Sequence, residues 1–168
     1  MRSLLLVFAN LCLLRRGPER VPAHAWFVIG IVLADLLFSF VVSVRLSDKS
    51  ALFVATSVTD SMATTAVITW LLLQWRNLPL RFPATIAAIF GCDLIFTALV
   101  AVVELSNTPS FATAANALEY VLAVWAIAVN AFILHRAIGV RLIWCVAIAI
   151  VMAFFAVAIP GLAIGARS

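Results

Sequence analysis

Residues 25–45 have the sequence AWFVIGIVLADLLFSFVVSVR, a mainly apolar stretch with one carboxylate, Asp35, near its middle. A helix needs about 20 such residues to cross the hydrocarbon core of a bilayer. The stretch is therefore predicted to be a membrane-spanning helix. A similar pattern returns at residues 88–100, AIFGCDLIFTALV, where Asp93 takes the place of Asp35. Within these stretches, GCDLIFTAL aligns with LADLLFSFV at an offset of 58.

The composition excludes the class of soluble globular proteins. Of the 168 residues, 66% are hydrophobic and only 11% are charged, with a mean hydropathy of +1.22, whereas soluble domains carry about 25% charged residues. The net charge is +4, but the basic residues lie at the ends of apolar runs rather than on one face. They are therefore interpreted as topology signals, and no nucleic-acid partner is expected.

The apolar segments predict an all-α membrane bundle that fills the chain as one domain. Its five spans lie at about 25–45, 51–75, 82–104, 113–135 and 142–162, the last broken near its end by Pro160-Gly161. Residues 3–14, SLLLVFANLCLL, are too short to span, and no small-x-small cleavage site follows them. We expect residues 1–24 to form a helix at the cytoplasmic interface and a linker, followed by a membrane domain over 25–168.

The basic residues also predict the orientation. With a cytoplasmic N-terminus, eight of them lie on the inner side and three on the outer side. Because cytoplasmic loops carry an excess of Lys and Arg, we expect an N-in, C-out protein of a bacterial inner membrane. The arginines expected to anchor the cytoplasmic side are Arg15, Arg16, Arg20, Arg76, Arg81, Arg136 and Arg141.

Several spacings point to a tandem repeat of a two-helix hairpin. Asp60 and Glu119 are 59 residues apart, close to the 58 that separate Asp35 and Asp93, and pairs of arginines recur with four residues between them. Parallel hairpins over 25–75 and 82–135, followed by a fifth helix, would produce these spacings. The alternative is that membrane helices resemble one another by composition.

The intramembrane acids are the candidate functional residues. A charged aspartate near the middle of a spanning helix costs about 2.5–3.5 kcal/mol, and no lysine or arginine lies at the depth of Asp35, Asp60 and Asp93. Either they line a polar cavity that binds protons or a cation, or they are protonated, hydrogen-bonded packing elements. The candidate polar cluster comprises Asp35, Asp60, Asp93, Glu119, Thr64 and Thr97.

The remaining reactive side chains favour neither catalysis nor metal binding. Cys12, Cys92 and Cys145 lie in separate apolar segments without a CxxC spacing, which is typical of small buried hydrophobic residues. His24 and His135 both fall at predicted cytoplasmic helix ends, so a nucleophilic triad would lack its histidine. We expect no enzyme activity, no cofactor and no metal site.

Two stretches carry a resemblance to known proteins. Residues 119–151, EYVLAVWAIAVNAFILHRAIGVRLIWCVAIAIV, lead from a tryptophan-bearing fourth helix through a basic turn into a fifth. This layout resembles the Yip-type family of five-span membrane proteins, and residues 10–27, NLCLLRRGPERVPAHAWF, are similar to the start of a group of small bacterial membrane proteins. The resemblance implies a non-enzymatic membrane organiser.

Two functions are therefore expected from the sequence. The first is a non-catalytic scaffold or accessory subunit in the lipid bilayer, which binds other membrane proteins or a second copy of itself through its helices. The alternative is a proton- or cation-coupled transporter or channel that uses Asp35, Asp60 and Asp93.

Overall fold

The computed structural model describes residues 8–14, 18, 21, 24–46, 50–106 and 112–165, with only the backbone described at 112, 157 and 159–165. This part of the chain is helical apart from short turns, as predicted. The long helices are α1 (Ala25–Leu46), α2 (Ala51–Trp75), α3 (Phe82–Leu105), α4 (Ala112–Ile138) and α5 (Leu142–Gly165), with a 3₁₀ turn at Pro79–Arg81 before α3.

Four helices, α1 to α4, are long and apolar enough to cross a membrane, which makes the chain a candidate multi-pass membrane protein. The described side chains of α5 form a shorter apolar stretch, Leu142–Ala156. The break predicted at Pro160-Gly161 is wrong, because the α5 backbone is helical as far as Gly165. Proline removes one backbone donor from a helix, but its fixed φ is close to the helical value.

Left-handed residues end two of the helices and reverse the chain. Asn77 has φ 56°, and the next amide, that of Leu78, donates to the carbonyl of Leu73 at 2.8 Å. Gly139, with φ 73°, ends α4 in the same conformation, which glycine adopts without strain. Short connections of this kind place consecutive helices antiparallel. We call the end of the bundle with these two turns the basic end and the opposite end the far end.

The five helices form a closed ring. Each packs against two others in the cyclic order α1, α3, α4, α5, α2, and α2 also touches α3 and α4 across the ring. Residues 85–92 of α3 are all buried in succession. A helix buried on every face is enclosed by its neighbours, so this half of α3 is the most enclosed stretch of the described helices.

The described part of the N-terminal segment packs against the middle of α3. Residues 8–12 are helical, Leu11 is fully buried, and the ring of Phe8 lies against Gly91. The indole Nε1 of Trp125 donates to the carbonyl of Cys12 at 2.9 Å. Gly91 and Trp125 lie near the middles of α3 and α4. The interfacial helix expected within residues 1–24 stays a prediction, and its described residues pack on α3, where the space beside Gly91 admits an aromatic ring.

The arginines at the basic end differ in what they contact. Four of the seven expected anchors, Arg76, Arg81, Arg136 and Arg141, are described, and all are exposed. Nη1 of Arg81 donates to the carbonyl of Ala137 at 3.0 Å, so it joins the start of α3 to the last turn of α4. The guanidinium of Arg136 stacks over Phe132 at 5.5 Å from the ring centroid. Arg15, Arg16 and Arg20 lie outside the described residues.

Candidate functional site

Asp93 lies in the middle of α3 where two cavities meet. Its neighbours Gly91 and Cys92 are buried, yet the Asp93 side chain is exposed because it lines both cavities. The far cavity, about 450 Å³, lies between α1, α3 and α4 and reaches Leu46 at the far end. The central cavity, about 300 Å³, lies between α2, α3, α4 and α5.

Asp35 lies beside Asp93 but is enclosed. The side chain has no exposed surface, and neither carboxyl oxygen has a hydrogen-bond partner among the described residues. Its carboxyl group interacts electrostatically with the carboxyl group of Asp93 and lies near the hydroxyl of Ser39, although no hydrogen bond of standard geometry joins it to that hydroxyl. Two negative charges that interact in an apolar interior repel each other, so a proton on either carboxyl group would relieve this repulsion.

Asp35 and Asp93 reach the same depth because α1 and α3 run in the same direction. Asp35 follows the first residue of α1 by 10 positions (35 − 25), and Asp93 follows the first residue of α3 by 11 (93 − 82). The two helices pack directly against each other. Their matched position along the bundle axis brings the carboxyl groups together.

A second pair of acids lies at the far end. Glu119 of α4 is half-buried and lines the far cavity, and its carboxyl group interacts directly with that of Glu104 in α3. Thr97, one turn beyond Asp93, lines the same cavity. Among the described residues, no basic side chain lines the far cavity or the central cavity. The electrostatic potential of both cavities therefore favours cations over anions.

No protein family, curated protein or solved structure matches this chain. The resemblance to Yip-type proteins stays a prediction.

The structure brings together four of the six residues predicted to form the polar cluster. Asp93, Thr97 and Glu119 share the far cavity, and Asp35 interacts with Asp93. Asp60 and Thr64 line neither cavity. Instead, the hydroxyl of Thr64 donates to the backbone carbonyl of Asp60 at 2.7 Å.

Three polar residues outside the predicted cluster line the central cavity: Ser61, Thr65 and Asn130. Ser61 and Thr65 each follow a predicted residue by one position, which turns the side chain by about 100° around the helix. Both Asp60–Thr64 and Ser61–Thr65 have the i, i+4 spacing that places two residues on one face. The sequence offered no signal to decide which of these two faces points inward.

The described residues also bear on metals and thiols. Within them, no group of three or more His, Cys, Asp or Glu side chains could hold a metal ion. The thiols of Cys12 and Cys92 lie close enough to interact, whereas Cys145 is buried in a separate core cluster. Cys12 and Cys92 are thus neighbours despite their separation of 80 positions (92 − 12) in the sequence.

Proposed function

We propose that this protein binds a proton or another monovalent cation at Asp93 and couples this binding to transport across a membrane. The observation that carries the proposal is the position of Asp93, which lines both cavities while the enclosed carboxyl group of Asp35 lies beside it. A group that serves two cavities can exchange a proton or cation with each in turn. Alternating access places such a site in contact with the two sides of the membrane in turn.

The energetic cost of Asp35 and Asp93 supports the same proposal. An ionisable residue within a membrane span is costly and is a functional candidate by default. Asp35 adds to the free-energy cost of burying polar groups, because its two carboxyl oxygens lack hydrogen-bond partners within the described chain. A purely structural pair would be expected to satisfy these oxygens. A proton on Asp35 would remove its charge and with it the repulsion between the two acids.

Infrared spectroscopy of the protein in lipid vesicles tests whether the acids titrate. We expect a carboxyl band that changes reversibly with pH and disappears in Asp93→Asn. Proton flux into the same vesicles, followed with an enclosed pH-sensitive dye, should fall in Asp93→Asn. The matched control is Asp60→Asn, which removes an acid of α2 that lines neither cavity and should leave flux unchanged. Equal flux in Asp93→Asn and the wild-type protein would refute the proposal.

The sequence also predicts a scaffold or accessory subunit, which stays a separate proposal. It would act without catalysis in a bacterial inner membrane, oriented N-in and C-out, and bind other membrane proteins or a second copy, as the Yip-type resemblance implies. Purification of the intact chain from its membrane tests this proposal. A stoichiometric partner that is retained by Asp93→Asn would favour the scaffold role.

A further inference from the structure

We propose that the two cavities around Asp93 bind a small hydrophobic ammonium ion, such as an alkylated amine, which exchanges with the proton of Asp93. This inference rests on the proposed function and specifies its ligand. In the exchange, the O–H bond of the Asp93 carboxyl group breaks and its proton passes to water. The carboxylate then pairs with the ammonium ion, so that the charge of the site is conserved.

The charge of the ligand follows from the polar groups of the cavities. The described polar groups that line them are acids, hydroxyls and one amide, with no basic side chain among them. An anion would meet only repulsion from Asp93 and Glu119. A neutral ligand would leave a carboxylate at Asp93 without a counter-charge in an apolar interior, which is unfavourable. A cation is the ligand that compensates the acid.

The apolar walls distinguish an organic cation from an inorganic one. An inorganic cation that loses its water requires several oxygen ligands around it. Asp93, Thr97 and Glu119 share the far cavity with mainly apolar residues, including Phe96 and Val100. An alkylammonium ion needs one counter-charge and apolar contact for the rest of its surface, and an aromatic face such as that of Phe96 adds cation–π attraction.

The size of the cavities also fits a small organic ligand. Their volumes of about 450 Å³ and about 300 Å³ fall at the lower end of the range typical of small-molecule sites. Ala123 and Ala126 of α4 line both cavities together with Asp93. Their short side chains leave space beside Asp93 in both cavities. A larger residue at position 123 should therefore obstruct binding without removing the acid.

Isothermal titration of the purified full-length chain with tetraethylammonium tests the inference. Repeating the titration in buffers of different ionisation enthalpy counts the protons released for each ion bound. We expect about one proton at a pH where infrared spectroscopy finds Asp93 protonated, and none where it is ionised. Asp93→Asn should weaken binding by about 30-fold or more, as expected for loss of one partner of a desolvated charge pair. Asp60→Asn should bind as the wild-type protein does.

A second pair of variants keeps the acid in place. Ala123→Leu fills space shared by both cavities and should weaken tetraethylammonium binding while the Asp93 carboxyl band still titrates. Ala117→Leu makes the same change at an exposed position of α4 that lines neither cavity and should have no effect. Unchanged binding in both Ala123→Leu and Asp93→Asn would overturn the inference.

The outcomes separate this inference from the proposed function. If Asp93 titrates and carries proton flux, but sodium rather than tetraethylammonium displaces its proton, the organic-cation inference is wrong and the proposed function stands. If Asp93 neither titrates nor affects flux, both are wrong. If tetraethylammonium binds and releases a proton only when Asp93 is intact, both are supported.

Discussion

The ring of Phe8 lies directly against the α-carbon of Gly91, so that the N-terminal segment closes over the middle of α3. A Cβ added at Gly91 would fall within 2.7 Å of Cδ1 and Cζ of Phe8 and nearer still to Cε1. This contact joins a segment expected at the membrane surface to the helix turn that carries Asp93. The contact therefore places the described N-terminal residues over the middle of α3.

The Phe8–Gly91 contact predicts that Gly91→Ala destabilises the protein. Overpacking costs about 1–3 kcal/mol, which should exceed the helix-propensity gain of about 1 kcal/mol for replacing glycine with alanine. Gly30→Ala is the matched control, because an added Cβ there meets nothing within 4 Å. That variant should be neutral or more stable. Thermal unfolding measures both, and hydrogen exchange at residues 8–12 should increase only in Gly91→Ala.

A double-mutant cycle isolates the contact itself. Combined with Phe8→Ala, the Gly91→Ala substitution should lose most of its cost, because the ring that obstructs the new methyl group is gone. Strictly additive effects on the free energy of unfolding would show that Phe8 does not occupy this space.

The proximity of Cys12 and Cys92 predicts a specific disulfide on mild oxidation. Diamide should accept two electrons and two protons from the two thiols and join the N-terminal segment to α3. Mass spectrometry of peptides prepared without reductant measures the pairing. Cys145 provides an internal control, since it lies in a different core cluster and should remain reduced. Equal yields of Cys12–Cys92 and Cys12–Cys145 pairs would contradict the described position of the segment.

The hydrogen bond between Arg81 and the Ala137 carbonyl predicts a stabilising role at the basic end. Arg81→Met should lower the free energy of unfolding by about 1 kcal/mol, the usual contribution of one hydrogen bond, because the side chain is exposed and solvent weakens its charge effect. Arg76→Met removes an exposed arginine at the same end and serves as the control. Denaturation in detergent measures both variants, and an equal effect of the two would argue against a specific contact.

The enclosure of Asp35 predicts that an apolar residue at this position would make the fold more stable but would remove an acid of the proposed site. Asp35→Leu replaces two unpartnered oxygens with apolar atoms of similar volume and should stabilise the fold by about 1–3 kcal/mol. Asp35→Asn keeps a buried polar group and should gain much less. Calorimetric unfolding in lipid distinguishes these outcomes. If Asp35→Leu is instead strongly destabilised, the carboxyl group is a satisfied packing element.

Much of the fold follows from local sequence. Apolar runs of about 20 residues, separated by Pro79, Gly139 and polar turns, were sufficient to predict all five helices within a few residues. The recurrence of Asp35 and Asp93 at an offset of 58 also indicated two acids at similar depth. These features depend on the length of each run and on the position of an acid within it.

The candidate site could be predicted only in part, because it depends on helix rotation and on contacts between distant segments. Ser61 and Thr65 line the central cavity, whereas Asp60 and Thr64 line neither cavity. The two pairs differ by one sequence position, which turns a side chain by about 100° around the helix. The thiol pair of Cys12 and Cys92 joins residues from two segments that have no common pattern. Neither relationship can be predicted from the order of residues along one helix.

The sequence by itself determined that the chain forms long apolar helices and that acids lie within them, since burial in lipid depends on hydropathy summed along a run. Only the tertiary structure decided that Asp93 opens onto two cavities, that Asp35 is enclosed, and that the N-terminal segment covers Gly91. The physical reason is that lipid is as apolar as a protein core. A spanning helix can be apolar on every face, so its pattern does not show which face meets its neighbours, and packing alone makes that choice.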